Sequence, residues 1–410
     1  MDSSTLWAAL ALGAAIAGIS VIGRRTRVAA PIMLFTAGAA VSFIPGVRAL
    51  EMQPDLILLV LLPPLLYTSG VNMSWRGFRQ NLRPILLLAV GCVVFTAAAV
   101  AAAVHFALGL PWAVGFVLGA VVSPPDAVAP MAIARRLGLP DRLLVILEGE
   151  SLVNDATALV LLSFSLAAVA SGTFSPGAAA MRFGLIVGAE IAFGLAVAAA
   201  MLWLRHLSND SRAEVLLALA TPFIAFWPPH ELGGSGVVAC VAAGLYVSWN
   251  GPDYIRPATR LQGFFIWDLL AWSVESLIFL LTGLQARAVY AGIEASPGRA
   301  LLAAALVCAT VIIVRFIWVF PATYIPHWLV ASIRKSEPFP GWQAPFLIGF
   351  TGLRGAVSLA AALSIPTVID ASPFPDRDLL LLVTFAVILV TLVGQGALLP
   401  TVIQIGRAHV

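Results

Sequence analysis

Thirteen apolar runs, each about 20 residues long, follow one another along the chain with only short connections between them. They fall at roughly 5–23, 28–45, 54–70, 84–107, 111–135, 143–171, 177–204, 212–228, 233–249, 262–288, 299–325, 343–366 and 378–402. Hydrocarbon offers no partner for backbone N–H and C=O groups, so segments of this kind must close their hydrogen bonds internally, as helices. The pattern predicts an all-α polytopic membrane protein with no room for an extramembrane domain. Only 10% of its 410 residues are charged, against about 25% in soluble domains. A net charge of +3 is too small over this length for a nucleic-acid partner; the lipid bilayer is the partner. Cys92, Cys240 and Cys308 lie in separate apolar runs without ligand spacing and read as small buried hydrophobes. Nothing calls for a cofactor.

Arginine and lysine orient the bundle. Connections after odd-numbered runs carry fifteen of them, including Arg76, Arg79, Arg83, Arg135, Arg142, Arg256 and Lys335; those after even-numbered runs carry five. Positive charge stays on the cytoplasmic side, which predicts an N-terminus outside, a C-terminus inside, and a cytoplasmic (inner) membrane location. The first run is long enough to span and is stopped by "RRTR", so no cleavable signal peptide is expected. Residues 1–402 read as one transmembrane domain. Residues 403–410 read as a truncated or artefactual tail, since "IGRAHV" matches one reading frame of a common sequencing adapter.

Charge at the centre of a bilayer costs at least about 2.5–3.5 kcal/mol per residue, which makes each such residue a functional candidate. Asp126 sits in run five, inside "VVSPPDAVAP", where Pro124, Pro125 and Pro130 cannot donate helix hydrogen bonds. Broken backbone at that depth survives only against protein or a water-filled cavity. Run twelve has its own weak point, "TGLRG", around Arg354. The two runs are seven apart and cross in opposite directions. That predicts two inverted-topology repeats, with interrupted helices crossing at a transporter's midplane site.

Run six carries Glu148, Glu150, Ser151, Asn154 and Asp155. At 100° per residue the last four fall within an arc of about 140°. Carboxylates with hydroxyl and amide oxygens suit a small hard cation. A carboxylate withdrawn from water favours its protonated form, so Asp155 can hold a proton or a monovalent cation, but not both. Glu150 and Arg354 read as a structural ion pair clamping run six to run twelve. Glu275, in "VESLIF", reads as an interior polar contact or a secondary ligand, and Arg315 as a snorkelling or locally paired side chain. Glu190 reads as a water-facing or an interface residue.

At these residues the chain resembles the Na+/H+ exchangers of the monovalent cation:proton antiporter superfamily, in the branch of NhaP-type prokaryotic antiporters and animal exchangers. "LPPLLYTSG" (62–70), "SPPDAVA" (123–129), "EGESLVNDATALVLL" (148–162), "GSGVVACVAAGLYV" (234–247), "VESLIFLLTGLQ" (274–285), "GLRGAVSLAAAL" (352–363) and "TLVGQGALLP" (391–400) stand in family order. The resemblance implies a homodimer with a contact domain and a mobile core. It makes Asp155 the main ion- and proton-binding carboxylate, with Asn154 bracing the unwound segment. Asp126 lies at the crossing, Ser151 supplies an oxygen, and Glu150 pairs with Arg354. The Asn-Asp pair resembles electroneutral one-for-one exchangers. Pro125 departs from the family's Thr, a hydroxyl that bonds to the Asn. Ala127 replaces its Pro, and Thr68 stands where several relatives have a carboxylate.

The expectation is a secondary-active antiporter, not an enzyme. It exchanges H+ for a monovalent cation held at Asp155 and Asp126, Na+ first and Li+ or K+ as alternatives. A K+/H+ antiporter of the same fold is the nearest rival; an organic-anion symporter and an intramembrane protease are remote ones. "GGSG" (233–236) mimics a membrane serine-protease motif but lacks a histidine within a later run, His327 lying at a loop.

Overall fold

Most of the apolar runs become single long helices; two break in the middle. The computed structural model describes residues 12–19, 21–22, 28–44, 56–172, 176–208, 210–292, 296–336, 339–369 and 372–407. The first run is helical over 12–19 and 21–22, and its remaining residues lie outside the described ones. Then come α1 (Ala30–Ser42), α2 (Leu56–Asn72) and α3 (Leu82–Leu108). The fifth run splits into α4 (Trp112–Val122) and α5 (Val128–Arg136). Unbroken helices follow: α6 (Asp141–Ser171), α7 (Pro176–Leu207), α8 (Ser211–Glu231), α9 (Val237–Tyr254), α10 (Pro257–Leu284) and α11 (Pro297–Leu329). The twelfth run splits into α12 (Gln343–Phe350) and α13 (Ala356–Leu363), and α14 (Arg377–Gln404) closes the bundle. Helix continues through Arg407, so residues 403–404 belong to α14 and 405–407 prolong it, while 408–410 lie outside the described residues.

Among the described residues, six helices are long and apolar enough to cross a membrane in one piece, α3, α6, α11 and α14 among them. Large apolar side chains such as Phe106, Leu185, Phe265, Leu301 and Ile313 remain exposed on the outside, the arrangement a lipid solvent requires. One small departure from an all-helical chain is an antiparallel pair of two-residue strands, Val368–Ile369 with Ser372–Pro373.

Local chemistry explains the boundaries. Gly109, at φ +72°, ends α3 in the left-handed conformation that glycine adopts freely. Pro111 then opens α4, so α3 and α4 form a tight hairpin. Two groups of helices build up from such contacts. In one, α10 lies on α1, α9 on α7 and α2, and α8 on α7 and α9; in the other, α3 lies on α4 and α11, α6 on α4, and α14 on α11. Core valines of the second group, Val100, Val117, Val307 and Val383, meet in one cluster.

Small residues set the spacing where helices touch, because lipid provides no hydrophobic drive and close backbone packing must hold them. A Cβ on Gly38 of α1 would strike the carbonyl oxygen of Leu280, and one on Gly283 of α10 would strike that of Phe35. Neither obstacle is a flexible side chain. Gly283→Leu should therefore force α1 from α10 and reduce the yield of monodisperse protein on detergent size-exclusion chromatography. Wild-type yield and melting temperature for that variant would show the contact to be dispensable.

Candidate functional site

The breaks in the fifth and twelfth runs meet. Asp126 N–H donates to the carbonyl of Leu353 at 2.7 Å, so each unwound segment satisfies the other's backbone. Asp126 also organises its own side of the crossing: its Oδ1 accepts from Val128 N–H at 2.8 Å, an Asx turn that leads into α5. Gly355 makes the approach possible, since any Cβ there would occupy the space of the Asp126 carboxylate. Asn154 of α6 braces the same segment, its Nδ2 donating to Pro125 O at 2.6 Å. Its Oδ1 is buried and meets no donor among the described residues.

The expected pairing of Glu150 with Arg354 is wrong. Glu150 pairs with Arg315 of α11 in a two-pronged contact, Nη1 to Oε1 at 2.6 Å and Nη2 to Oε2 at 2.9 Å. Both side chains are about 2% exposed, which rules out snorkelling for Arg315. Its Nε donates to Ile348 O at 3.1 Å, at the C-terminal end of half-helix α12. Arg354 does the corresponding work at the other break. Its Nε donates to Val122 O at 2.9 Å, its Nη2 to Ser123 O at 3.2 Å, and its Nη1 to Gly352 O. The physical reason is the same at both sites. A helix that stops inside the bilayer leaves carbonyls unpaired at the negative end of its dipole, and a fixed guanidinium with five donors fits that end. Arg354 N–H is held by Thr391 Oγ1 at 3.0 Å, from a π-helical stretch of α14, Leu389–Gln395.

Beside the crossing lies a cavity of about 390 Å³. Asp126 and Asp155 both line it, with Ser151, Thr68 and Glu275, so it gathers most of the residues singled out in the sequence. Asn154, Glu150 and Arg354 stand behind its wall. Pro125 faces a much smaller recess with Asp126, Glu150 and Arg315. Thr68 donates its hydroxyl to Pro64 O at 2.7 Å within its own helix, so only its lone pairs face the cavity. Sequence reasoning missed Ser69, Asn72 and Ser358 as lining residues; Ser358, four residues after Arg354, lies in the first turn of half-helix α13. The rim, where Asn72, Arg135, Asp268 and Trp272 are exposed, lies at the ends of α2 and α5 and against the middle of α10. On the far side of Asp155, Val121, Ala158, Leu159, Leu162 and Ala361 close around a void of only about 10 Å³.

Glu190 acquires a role. It is buried on α7 and accepts from Ser235 N–H at 2.5 Å, Gly236 N–H at 3.1 Å and Val238 N–H at 3.1 Å, with the Ser235 hydroxyl at 2.9 Å from Oε2. The "GGSG" segment is thus a loop wrapped around a carboxylate at the N-terminus of α9, and its serine is committed to that carboxylate rather than poised as a nucleophile. His327 is not in a loop either: it is buried in the last turn of α11, Nδ1 at 2.9 Å from Thr323 O.

The chain is similar to known proteins over nearly all of its length. Residues 11–404 match the family model described as sodium/hydrogen exchanger, transmembrane. An uncharacterised Na+/H+ exchanger of Mycobacterium tuberculosis is 38% identical over 404 residues, 97% of this chain and 74% of the relative. A sodium, potassium, lithium and rubidium/H+ antiporter of Bacillus pumilus is 31% identical, over 96% of this chain and 60% of its own. The Na+/H+ antiporter ApNhaP of Aphanothece halophytica is 32% identical, over 91% and 68%. An electron-microscopy structure of the sodium proton antiporter MjNhaP1 from Methanocaldococcus jannaschii superposes with a TM-score of 0.76 at 19% identity, covering 98% of both chains. At that identity it speaks for the fold.

The ion pair generates a test. Removing one partner of a buried pair costs about 3–5 kcal/mol because the other charge is stranded. Arg315→Met should therefore lose most folded protein from the membrane, and Arg315→Met with Glu150→Leu should recover part of it. Arg315→Met at wild-type abundance and melting temperature would remove the pair from the account of stability.

Proposed function

The chain belongs to the sodium/hydrogen exchanger family and is a monovalent cation/proton antiporter, a transporter and not an enzyme; from that premise we propose that protons and the cation compete for Asp155 in a one-for-one, electroneutral cycle. The observation that carries this reading is the placement of Asp155 and Asp126 together on one cavity, beside two broken helices that cross. Asp155 is the exchanging carboxylate. Asp126, Ser151 and the hydroxyls of Thr68 and Ser358 supply further oxygens to a partly dehydrated ion, a donor set suited to a hard cation. Glu275 is a secondary contact on the opposite wall. Asn154, Arg315–Glu150 and Arg354 hold the frame.

The cavity rim lies on the side where Arg76, Arg79, Arg135, Arg136, Arg142 and Arg256 gather, in and beside the connections 73–81, 137–140 and 255–256. Positive charge keeps that side cytoplasmic, so this is an inward-open state in a cytoplasmic membrane, with the N-terminus outside and the C-terminus inside. The narrow apolar closure beyond Asp155 is the opposing gate. Rocking of one helix group against the other would open it, in the alternating-access manner of inverted repeats. The working unit is a homodimer, as the family resemblance implies. Na+ is the first cation, and the breadth named for the Bacillus pumilus relative favours K+ as a second reading.

Cation-dependent proton flux in everted vesicles tests the assignment, with a pH dye and Na+, Li+ or K+ added at several pH values. Asp155→Asn should abolish flux for every ion, Asp126→Asn should reduce it at least about tenfold, and clamping the membrane potential should leave the wild-type rate unchanged. Full activity in Asp155→Asn would refute the site, and a potential-dependent rate would refute electroneutrality.

A further inference from the structure

One ion pair stands in the path to the carboxylates. Arg135, in the last turn of α5, is in close contact through Nη2 with Glu148 Oε1 on α6. Both side chains line the cavity. Arg135 is 63% exposed at its rim and Glu148 27% exposed just inside. Glu148 precedes Asp155 by seven residues, two helical turns and about 10 Å along the same face. Ser151, three residues after Glu148, lies between them on the cavity wall. An ion entering from the rim therefore meets Glu148 first and follows one face of α6 down to Asp155.

The charges on this path are lopsided. Asp126, Glu148, Asp155, Asp268 and Glu275 line the cavity, and Arg135 is the only arginine or lysine that does so among the described residues. A cleft walled by one sign of charge concentrates counter-ions, and a guanidinium at its entrance opposes that effect. Among the described residues, the Glu148 carboxylate is what holds it there. Most of the Arg135 side chain is in water, so the pair adds little to stability, and its position has to be explained on other grounds.

We propose that Glu148 is an outer docking site for the monovalent cation and that Arg135 competes with the cation for it, so that the pair sets the apparent affinity at the cavity mouth. This inference rests on the exchanger reading above. When Arg135 holds Glu148, the mouth is neutral there and the ion is admitted on the strength of the inner carboxylates alone. When Arg135 swings out to water, Glu148 is free to take a cation from solution and pass it along α6. Arg135 acts through Glu148 and is a positioning residue; the cation touches Glu148.

The two halves of the pair predict opposite effects, which a merely structural contact would not. A unit charge about 10 Å from an ion shifts affinity roughly two- to tenfold between the dielectric of water and an effective value near 25. In everted vesicles at low ionic strength, Arg135→Gln should lower the apparent KM for the cation by that factor, and Glu148→Gln should raise it by a similar one. Arg135→Lys keeps the charge and should stay near wild type. Raising ionic strength to about 0.15 M, where the screening length is about 8 Å, should shrink both shifts. Shifts of the same sign, shifts in maximal rate alone, or unchanged KM in both Gln variants alongside normal wild-type flux would overturn the docking site. Absence of flux in the wild type would instead remove the exchanger reading, and this inference with it.

Discussion

Two helices that stop in the middle of a membrane create the problem that the rest of the structure answers. Each break exposes carbonyls and N–H groups where water is scarce, and an unpaired buried group costs about 1–3 kcal/mol. The fold brings the two breaks together, so that Asp126 N–H finds Leu353 O, and assigns one arginine to each open helix end. Arg354 covers α4, and Arg315 covers α12. Two guanidinium groups in one crossing would repel each other; Glu150 neutralises one of them. With the frame satisfied in this way, Asp126 and Asp155 need not serve as its counter-charges and can face the cavity with their oxygens.

The location of the broken-helix crossing was legible in the sequence for a physical reason. Proline and charge are so costly in apolar helices that "SPPDAVA" and "TGLRG" could only mark interruptions. The run-six spacing placed Ser151 and Asp155 on a common face. Span positions were readable to within a few residues because the apolar runs are long and the connections short. The partner of Glu150 was not legible. Both Arg315 and Arg354 lie in mid-span, and choosing between them requires the rotation and tilt of α6 against α11 and α12, which depend on packing between distant segments. What could have hinted at the answer is that an arginine next to a helix break has carbonyls to serve, whereas one inside an intact helix, as Arg315 is, needs a carboxylate.

Other residues were hidden for different reasons. Glu190 was readable as a charge within a span but not as a buried cap, because its partners are backbone N–H groups that follow it by some 45 residues and leave no trace in side-chain identity. Arg135 looked like an ordinary loop charge, since nothing in the sequence says that α5 ends at a cavity rim beside the second turn of α6.

Asn154 and Arg354 share a habit: their side-chain hydrogen bonds go to main-chain oxygens of Val122, Ser123, Pro125 and Gly352. A carbonyl is present whatever the side chain attached to it. The joint is therefore indifferent to much of the spelling of the segment it holds, which is how this chain can carry Pro125 and Ala127 against the family pattern and still close its crossing. Drift along that segment is free to alter the wall around the ion while the mechanical joint remains the same.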